Sequence, residues 1–367
     1  MSPVEVLRRF CHRLIDQEAA KPIVLPMENS SGFWFGGGNM EIDGDGNLFV
    51  VGRYRNAGDS RTGVASGTRG LELAIFKSAD QGQSFHKIAS WGKAELNTAE
   101  AEVLSIEGSC LRFHDAGAEL YVSTEKIGIP YPDELSGYLK PGAGVWTIDV
   151  LQASSVDTLT GCRAVPFLRS NDPEHLHVKD PFFWHGKSQT RLGFCSHPYS
   201  WSSSNTCVTD LQLNHSHSAT SPQTDFGVIP RGTTWDVAMT RGTCILPLPR
   251  VGRFSDHATS LLFYCGGECL RPHDEHATAV MRPRGYSCEE IGGAGFIVND
   301  DPGTFTRLSR LAPMFVSPYG TGCSRYVDVL SAPEGYYATW QQSQKDLSQP
   351  LVMNFLPRDE AEALLAE

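Results

Sequence analysis

The chain has 367 residues, 40% hydrophobic and 20% charged with 36 glycines, which suits a folded, turn-rich core and excludes a disordered or fibrous polymer. Its 31 basic and 42 acidic side chains give a net charge of −11, so nucleic acid and anionic membrane are not expected partners, although a local basic pocket is compatible with that sum. No run of about 18 apolar residues occurs, which argues against a spanning helix.

Residues 1–24 carry Glu5, Arg8, Arg9, Arg13, Asp16 and Glu18 where a secretion signal needs an apolar run, so a cytoplasmic location is expected. Val4, Leu7, Cys11, Leu14 and Ile15 share one helical face over residues 3–19, which predicts an amphipathic helix that caps the fold or joins two copies in a homodimer. Beyond it the chain reads as strands: short apolar or β-branched runs at 48–51, 71–76, 110–113, 120–123, 144–148, 182–184 and 191–195, separated by Gly, Asp, Asn and Pro. They continue at 243–248, 261–265, 277–281, 296–298, 326–330, 336–340 and 351–355, and residues 357–367 form a short closing helix. Residues 40–50, 111–122 and 182–187 repeat one pattern of strand, tight turn and aromatic strand.

Repeated hairpins of this kind point to an all-β fold, a β-propeller of five blades with six as the alternative count; a β-sandwich with long insertions is the competing layout. The expected organisation is a helix and linker over 1–28, the propeller over 29–356 and the terminal helix over 357–367. Ten scattered cysteines lack zinc-site spacing and read as buried free thiols. Neither metal nor cofactor is expected: Gly36-Gly37-Gly38-Asn39 follows aromatics as a turn and opens no dinucleotide-binding unit, and His273-Asp274-Glu275-His276 lacks the helical spacing of a zinc protease.

Residues 78–85, Ser-Ala-Asp-Gln-Gly-Gln-Ser-Phe, match the Asp-box pattern, a hairpin turn in which the Asp side chain accepts backbone N–H bonds, Gly supplies a positive φ and the aromatic ring pins the turn. With the strands before it, residues 39–88 resemble the first blade of sialidases and of five-bladed glycosidases. Ser105-Ile106-Glu107-Gly108-Ser109 and Val178-Lys179-Asp180-Pro181-Phe182-Phe183 resemble blade-opening Glu-Gly and Lys-Asp-Pro patterns of the five-bladed arabinofuranosidases, fructan hydrolases and mannoside phosphorylases. The resemblance covers about a third of the chain and departs in two places: no Arg-Ile-Pro triplet precedes the first strand, where Gly38-Asn39-Met40-Glu41 stands, and no early Asn-Asp-Pro occurs.

Glycoside cleavage needs one carboxyl held protonated and a second kept ionised. Four acids are candidates, in the order Asp180, Asp236, Glu107 and Glu41. By the resemblance Asp180 orients substrate or tunes the acid; its structural alternative is a turn cap before Pro181. Asp236 lies in an apolar stretch where an ionised carboxylate needs a partner, and Arg241 is the partner expected. Arg53, Arg55 and Asp59 sit where a sialidase-like first blade places its acid-binding loop, and guanidinium forks there suit a carboxylated sugar. His177 and His197 flank the Lys-Asp-Pro strand, Trp235 and other aromatics offer stacking faces, and Tyr319 and Arg325 lie in a segment resembling the last blade of sialidases.

These residues predict an exo-acting glycoside hydrolase that removes a terminal, acidic sugar from a short oligosaccharide. A uronate lyase and a non-catalytic carbohydrate-binding propeller are the alternatives.

Overall fold

A computed structural model describes residues 1–56, 69–139, 142–186, 189–211, 223–268 and 290–367. The chain opens with helix α1 (Pro3–Leu14), started by a reciprocal cap in which the Glu5 N–H donates to Ser2 Oγ (3.3 Å) and the Ser2 N–H to Glu5 Oε2 (2.7 Å). Strand β1 (Lys21–Val24) follows, then β2 (Trp34–Gly36) and β3 (Met40–Ile42), both antiparallel to β4 (Leu48–Arg55). β4 pairs with β5 (Glu72–Ser78), and β5 with β6 (His86–Gly92).

Two further meanders of four strands come next. β7 (Glu102–His114), β8 (Gly117–Ile127), β9 (Val145–Ala153) and β10 (Val165–Leu168) make one; β11 (His177–His185), β12 (Thr190–His197), β13 (Asn205–Asp210) and β14 (Thr224–Ile229) make the other. The last sheet holds β15 (Met239–Pro247), β16 (Thr259–Gly267), β17 (Ile291–Val298) and β18 (Asp301–Arg307), then β19 (Ser324–Ala332), β20 (Gly335–Gln342) and β21 (Leu351–Pro357). β17 and β19 share a single parallel bridge, Ile291 to Ser324, so this sheet is two meanders in loose contact. Helix α2 (Arg358–Ala366) ends the chain.

Polar bonds link successive meanders. The Ser109 N–H donates to the Gly37 carbonyl (2.9 Å), the Gly108 N–H to Asp180 Oδ1 (2.9 Å), and the Gly242 N–H to Thr206 Oγ1 (2.9 Å). Thr243 Oγ1 donates to the Val327 carbonyl (2.7 Å), and the Met40 N–H donates to Asp328 Oδ2 (2.7 Å), so the first meander meets the last. Apolar clusters fill the spaces between neighbours. Val51, Leu73, Leu111 and Leu120 pack between the first and second meanders, and Val50, Phe35, Tyr337 and Leu351 between the first and last.

The sequence-based layout needs two corrections. Lys21–Val24, inside the expected linker, is a strand: β1 pairs with β21 (Lys21 opposite Met353) and supplies the fourth strand of the last meander. The apolar face of α1 is consumed by its own chain. Val6, Leu7, Phe10, Cys11 and Leu14 are buried against Phe315, Tyr336, Trp340 and Leu365, so the helix caps the fold and that face is not left for a second copy.

The Asp80 turn has its expected bonding. Asp80 accepts from the Ser84 N–H (2.9 Å), Gly82 has φ +85° and Phe85 packs partly into the core below. Of the eight described cysteines all but Cys162 are buried. No described helix is long and apolar enough to cross a membrane. The expected strand at 277–281 and His273 to His276 lie outside the described residues.

Candidate active site

Three first strands break register at one level: two residues of β7 (Glu107, Gly108), of β11 (Asp180, Pro181) and of β19 (Tyr326, Val327) each oppose one residue of the neighbouring strand. Such bulges re-aim side chains. Asp180 (φ +52°) and Tyr326 (φ +53°) accordingly sit in the left-handed region, which side chains other than glycine rarely occupy and which clusters at functional sites.

The bulged residues meet in a charged cluster. Asp180, 5% exposed, accepts from the Gly108 N–H and from Arg241 Nη1 (2.8 Å), with Lys179 Nζ at 3.7 Å; its own N–H donates to Ser123 Oγ (3.0 Å). Burial works to raise its pKa, but Lys179, Arg241 and Arg53 overcome that and hold it well below the usual carboxylate range. Glu107 lies 3.4 Å from Arg53 Nη2 and 3.6 Å from Lys179 Nζ and accepts from Ser105 Oγ (2.9 Å). Against burial, Lys179, Arg53 and Arg69 hold it down at about 2. Glu290 pairs with Arg241 Nη2 (2.6 Å) and Arg325 Nη1 (3.4 Å), which likewise lower its pKa against burial.

The cations are stacked as well as paired. Trp34 lies under the Arg53 (4.7 Å), Arg325 (5.1 Å) and Arg55 (5.9 Å) guanidiniums, and the Tyr326 ring lies 5.4 Å from that of Arg53. Arg55 is the least compensated: burial and the charges of Arg325, Arg69 and Arg53 lower its pKa to about 10, and its Nη2 is buried without a hydrogen-bond partner. Burial, with Asp180 and Glu290, pushes the Tyr326 hydroxyl up to about 12.

Glycine makes the close approach possible. A Cβ on Gly108 would sit 2.5 Å from Asp180 Oδ1 and 2.8 Å from its Cα. Gly108→Ala must therefore push β7 and β11 apart, and we expect a loss of roughly 2 kcal/mol, read as a lower urea midpoint at unchanged slope. An unchanged midpoint would mean that the two strands separate freely.

The structure sorts the expected site residues into those it brings together and those it does not. Asp180, Glu107, Arg53, Arg55, Arg241 and Arg325 converge. His197 lies behind them, its Nε2 3.8 Å from Cys195 Sγ, which is itself 3.7 Å from Asp180 Oδ2; burial and the Lys179 and Arg241 charges keep it neutral.

Asp236 does not face Asp180. It is fully buried with Arg307 Nε (2.7 Å) and the Tyr264 hydroxyl (3.2 Å), while Arg241, its expected partner, serves Asp180 and Glu290. Trp235 stacks on Tyr264 (5.6 Å) in the core and offers no sugar face. Glu41 belongs to a second group with Asp328 and Arg112, further along β3 and β19. His177 stacks on Trp201 (4.2 Å). Tyr319 lies under Lys345 (5.4 Å), so the tyrosine of this segment that joins the cluster is Tyr326. Asp59 lies outside the described residues.

Sequence reasoning passed over Lys179 and Tyr326 inside segments it quoted, and Glu290 altogether. The bulges were the missing signal, because alternation along a regular strand would turn Tyr326 and Asp180 elsewhere. Among the described residues no group of three or more His, Cys, Asp or Glu side chains could hold a metal ion.

No family model and no curated protein matches the chain. Solved structures do. An α-L-arabinofuranosidase from Lactobacillus brevis aligns over 92% of this chain and 93% of its own, at 10% identity and TM-score 0.55. A thermostable family-43 glycoside hydrolase aligns over 90% and 91% (10% identity, TM-score 0.51). The GH43_1 enzyme from Xanthomonas citri complexed with xylotriose aligns over 96% and 93% (10% identity, TM-score 0.52). At this identity the likeness is one of fold.

Proposed function

We propose that this chain is an exo-acting glycoside hydrolase, five blades closed around an axial channel, that removes a terminal acidic sugar from a short oligosaccharide. The observation that carries the reading is charge. Among the described residues Arg53, Arg55, Lys179, Arg241 and Arg325 are gathered around Glu107, Asp180 and Glu290, so two positive charges stand in excess in a chain whose net charge is −11. A low-dielectric pocket with that surplus attracts an anion, and planar guanidiniums fit a sugar carboxylate.

Glu107 and Glu290 are the two more accessible carboxylates, at 12% and 18% side-chain exposure, with Asp180 pinned between their cations. We assign Glu107 as the ionised partner, acting on the anomeric carbon directly or through water, and Asp180 as the group that positions Lys179 and Arg241. Glu290 is the acid. A substrate carboxylate seated on Arg325 and Arg55 draws Arg325 away from Glu290, which raises the Glu290 pKa so that it can carry the proton the leaving oxygen needs. The five meanders, their cyclic contacts and the glycosidase neighbours all support this reading. A lyase reading would need a free base, whereas the nearest phenol is held protonated and His197 is buried.

The test is a panel of glycosides of uronic and sialic acids beside their neutral counterparts. Acidic glycosides should be cleaved with kcat/KM at least about tenfold higher, a gap that narrows with added salt and closes in Arg325→Gln. Faster cleavage of a neutral pentoside would overturn the acidic-sugar assignment; binding of every member without cleavage would make the protein a carbohydrate-binding module.

A further inference from the structure

Beside the charged cluster the second and third meanders carry an aromatic wall that the chemistry above does not use. It begins at Lys179, whose Nζ lies 5.6 Å over the Trp146 ring on β9. Trp146 meets His177 (5.0 Å) and Trp201 (5.3 Å) edge-on, and the Trp201 indole lies flat on the His177 ring, 4.2 Å away with planes 16° apart. Tyr131 lies 6.4 Å from His177, and Tyr138 packs edge-on against Tyr199 (5.1 Å). The wall joins two connections, β8 to β9 and β12 to β13, and the Tyr131 hydroxyl ties them by donating to the Tyr199 carbonyl (3.0 Å).

Two features set this wall apart from core packing. Trp201 has φ +53°, a left-handed backbone that a bulky side chain adopts only where the surroundings impose it. The rings also reach solvent: Tyr138 is 57% exposed, and Trp201, Tyr199 and Tyr131 are partly exposed. A packed core would not pair strained backbone with open ring faces.

We infer that Trp201, with Trp146, Tyr199 and Tyr138, forms a subsite for the leaving part of the substrate, taking the apolar face of a neutral pyranose ring. This deepens the glycoside reading above and rests on it. A sugar ring fits this wall, its flat C–H face against indole and its hydroxyl groups at the solvent-exposed rim. Lys179 fixes the order of the two subsites, since it pairs with Glu107 and Asp180 on one side and lies over Trp146 on the other. Charge binds the terminal sugar and stacking binds the next, so the acidic residue is the one released.

The test has a binding arm and a turnover arm. In the first, cellobiose, xylobiose and maltose are titrated against the full chain while tryptophan emission is followed. At least one should give a saturable change at millimolar concentration, about tenfold weaker in Trp201→Ala and recovered in part in Trp201→Phe, which keeps a ring but not the N–H. In the second, Trp201→Ala should raise KM for an oligosaccharide about tenfold yet leave cleavage of the corresponding glycosyl fluoride, whose leaving group has no ring, within about twofold. No saturable change with any disaccharide in the wild-type chain, or equal binding by Trp201→Ala, overturns the subsite. Because the binding arm needs no turnover, a chain that cleaves nothing would sink the hydrolase reading while still deciding this one.

Discussion

Asp180→Asn is expected to lower kcat/KM on any glycoside this protein cleaves by roughly 10³-fold, with far-ultraviolet circular dichroism unchanged. The substitution keeps the shape of the side chain, so its remaining oxygen can still accept from the Gly108 N–H. Its amide nitrogen, however, replaces the oxygen that accepts from Arg241 and lies near Lys179, and donors then face donors. Two buried cations lose their shared anion, and breaking a pair of that kind costs about 3–5 kcal/mol, so rates must be read well below the unfolding transition. Asp236→Asn is the control, because Asp236 is as deeply buried and as closely paired, with Arg307. It should lose stability on a similar scale and keep kcat/KM within about threefold. Equal loss of activity in the two variants would mean that Asp180 matters only as part of the fold.

The strands readable in the sequence were mostly those buried on both faces, although the buried β13 was passed over because only Cys207 and Val208 in it are apolar. β4, β8, β16 and β20 are almost wholly buried and show as apolar runs. The outer strands β6, β10, β14 and β18 were not foreseen, and their exposure explains why: β18, Asp-Pro-Gly-Thr-Phe-Thr-Arg, has no fully buried position, and β6 has two. An edge strand held by backbone pairing alone leaves little hydrophobic pattern to read. β1 was hidden for a different reason. Its partner β21 lies some 330 residues away, and four residues with a proline among them carry no local sign of that pairing.

The site was legible where one short motif contained both the charge and the turn that aims it. Lys179-Asp180-Pro181 and Glu107-Gly108 are of this kind, since the bulge falls within each motif. Asp236 misled because an acid in an apolar stretch predicts a buried pair correctly without saying which arginine completes it. Arg241 is five residues away in sequence and points to Asp180, whereas Arg307, 71 residues away, closes over Asp236. The choice follows from which strand adjoins which, and β15 adjoins β11. Glu290 carries no motif at all; it precedes β17 and is recognisable only by the two guanidiniums that meet it.

The second carboxylate group leads to a prediction of opposite sign to ordinary acid denaturation. Burial, with the like charge of Asp328, raises the Glu41 pKa to about 8 against the pull of Arg112, and burial raises that of Asp328 to about 7 although it accepts from the Met40 N–H. In the unfolded chain both titrate near 4. An acid whose folded pKa is raised gives stability that is complete below the unfolded value and lost as pH climbs to the folded one, here from about 4 to 8. His177, lowered to about 3 by burial, and His197 act the other way, because a buried neutral imidazole costs stability as pH falls below about 6.5. The buried thiols titrate in the unfolded chain only near pH 8.5. Between pH 6.5 and 8 the two acids make the largest change, because the tail of the imidazole titrations (His12, His177, His185 and His197) adds stability while that of the buried thiols removes it, and stability should fall by roughly 2 kcal/mol, a figure already reduced for the partial exposure of Glu41. Asp328→Asn keeps an acceptor for Met40 while removing one titration and the charge that raises Glu41, so it should flatten that slope by more than half. Urea midpoints measured across this window decide it: a wild-type chain whose stability holds level or rises from pH 6.5 to 8 would mean that Glu41 and Asp328 are ionised and compensated in the fold.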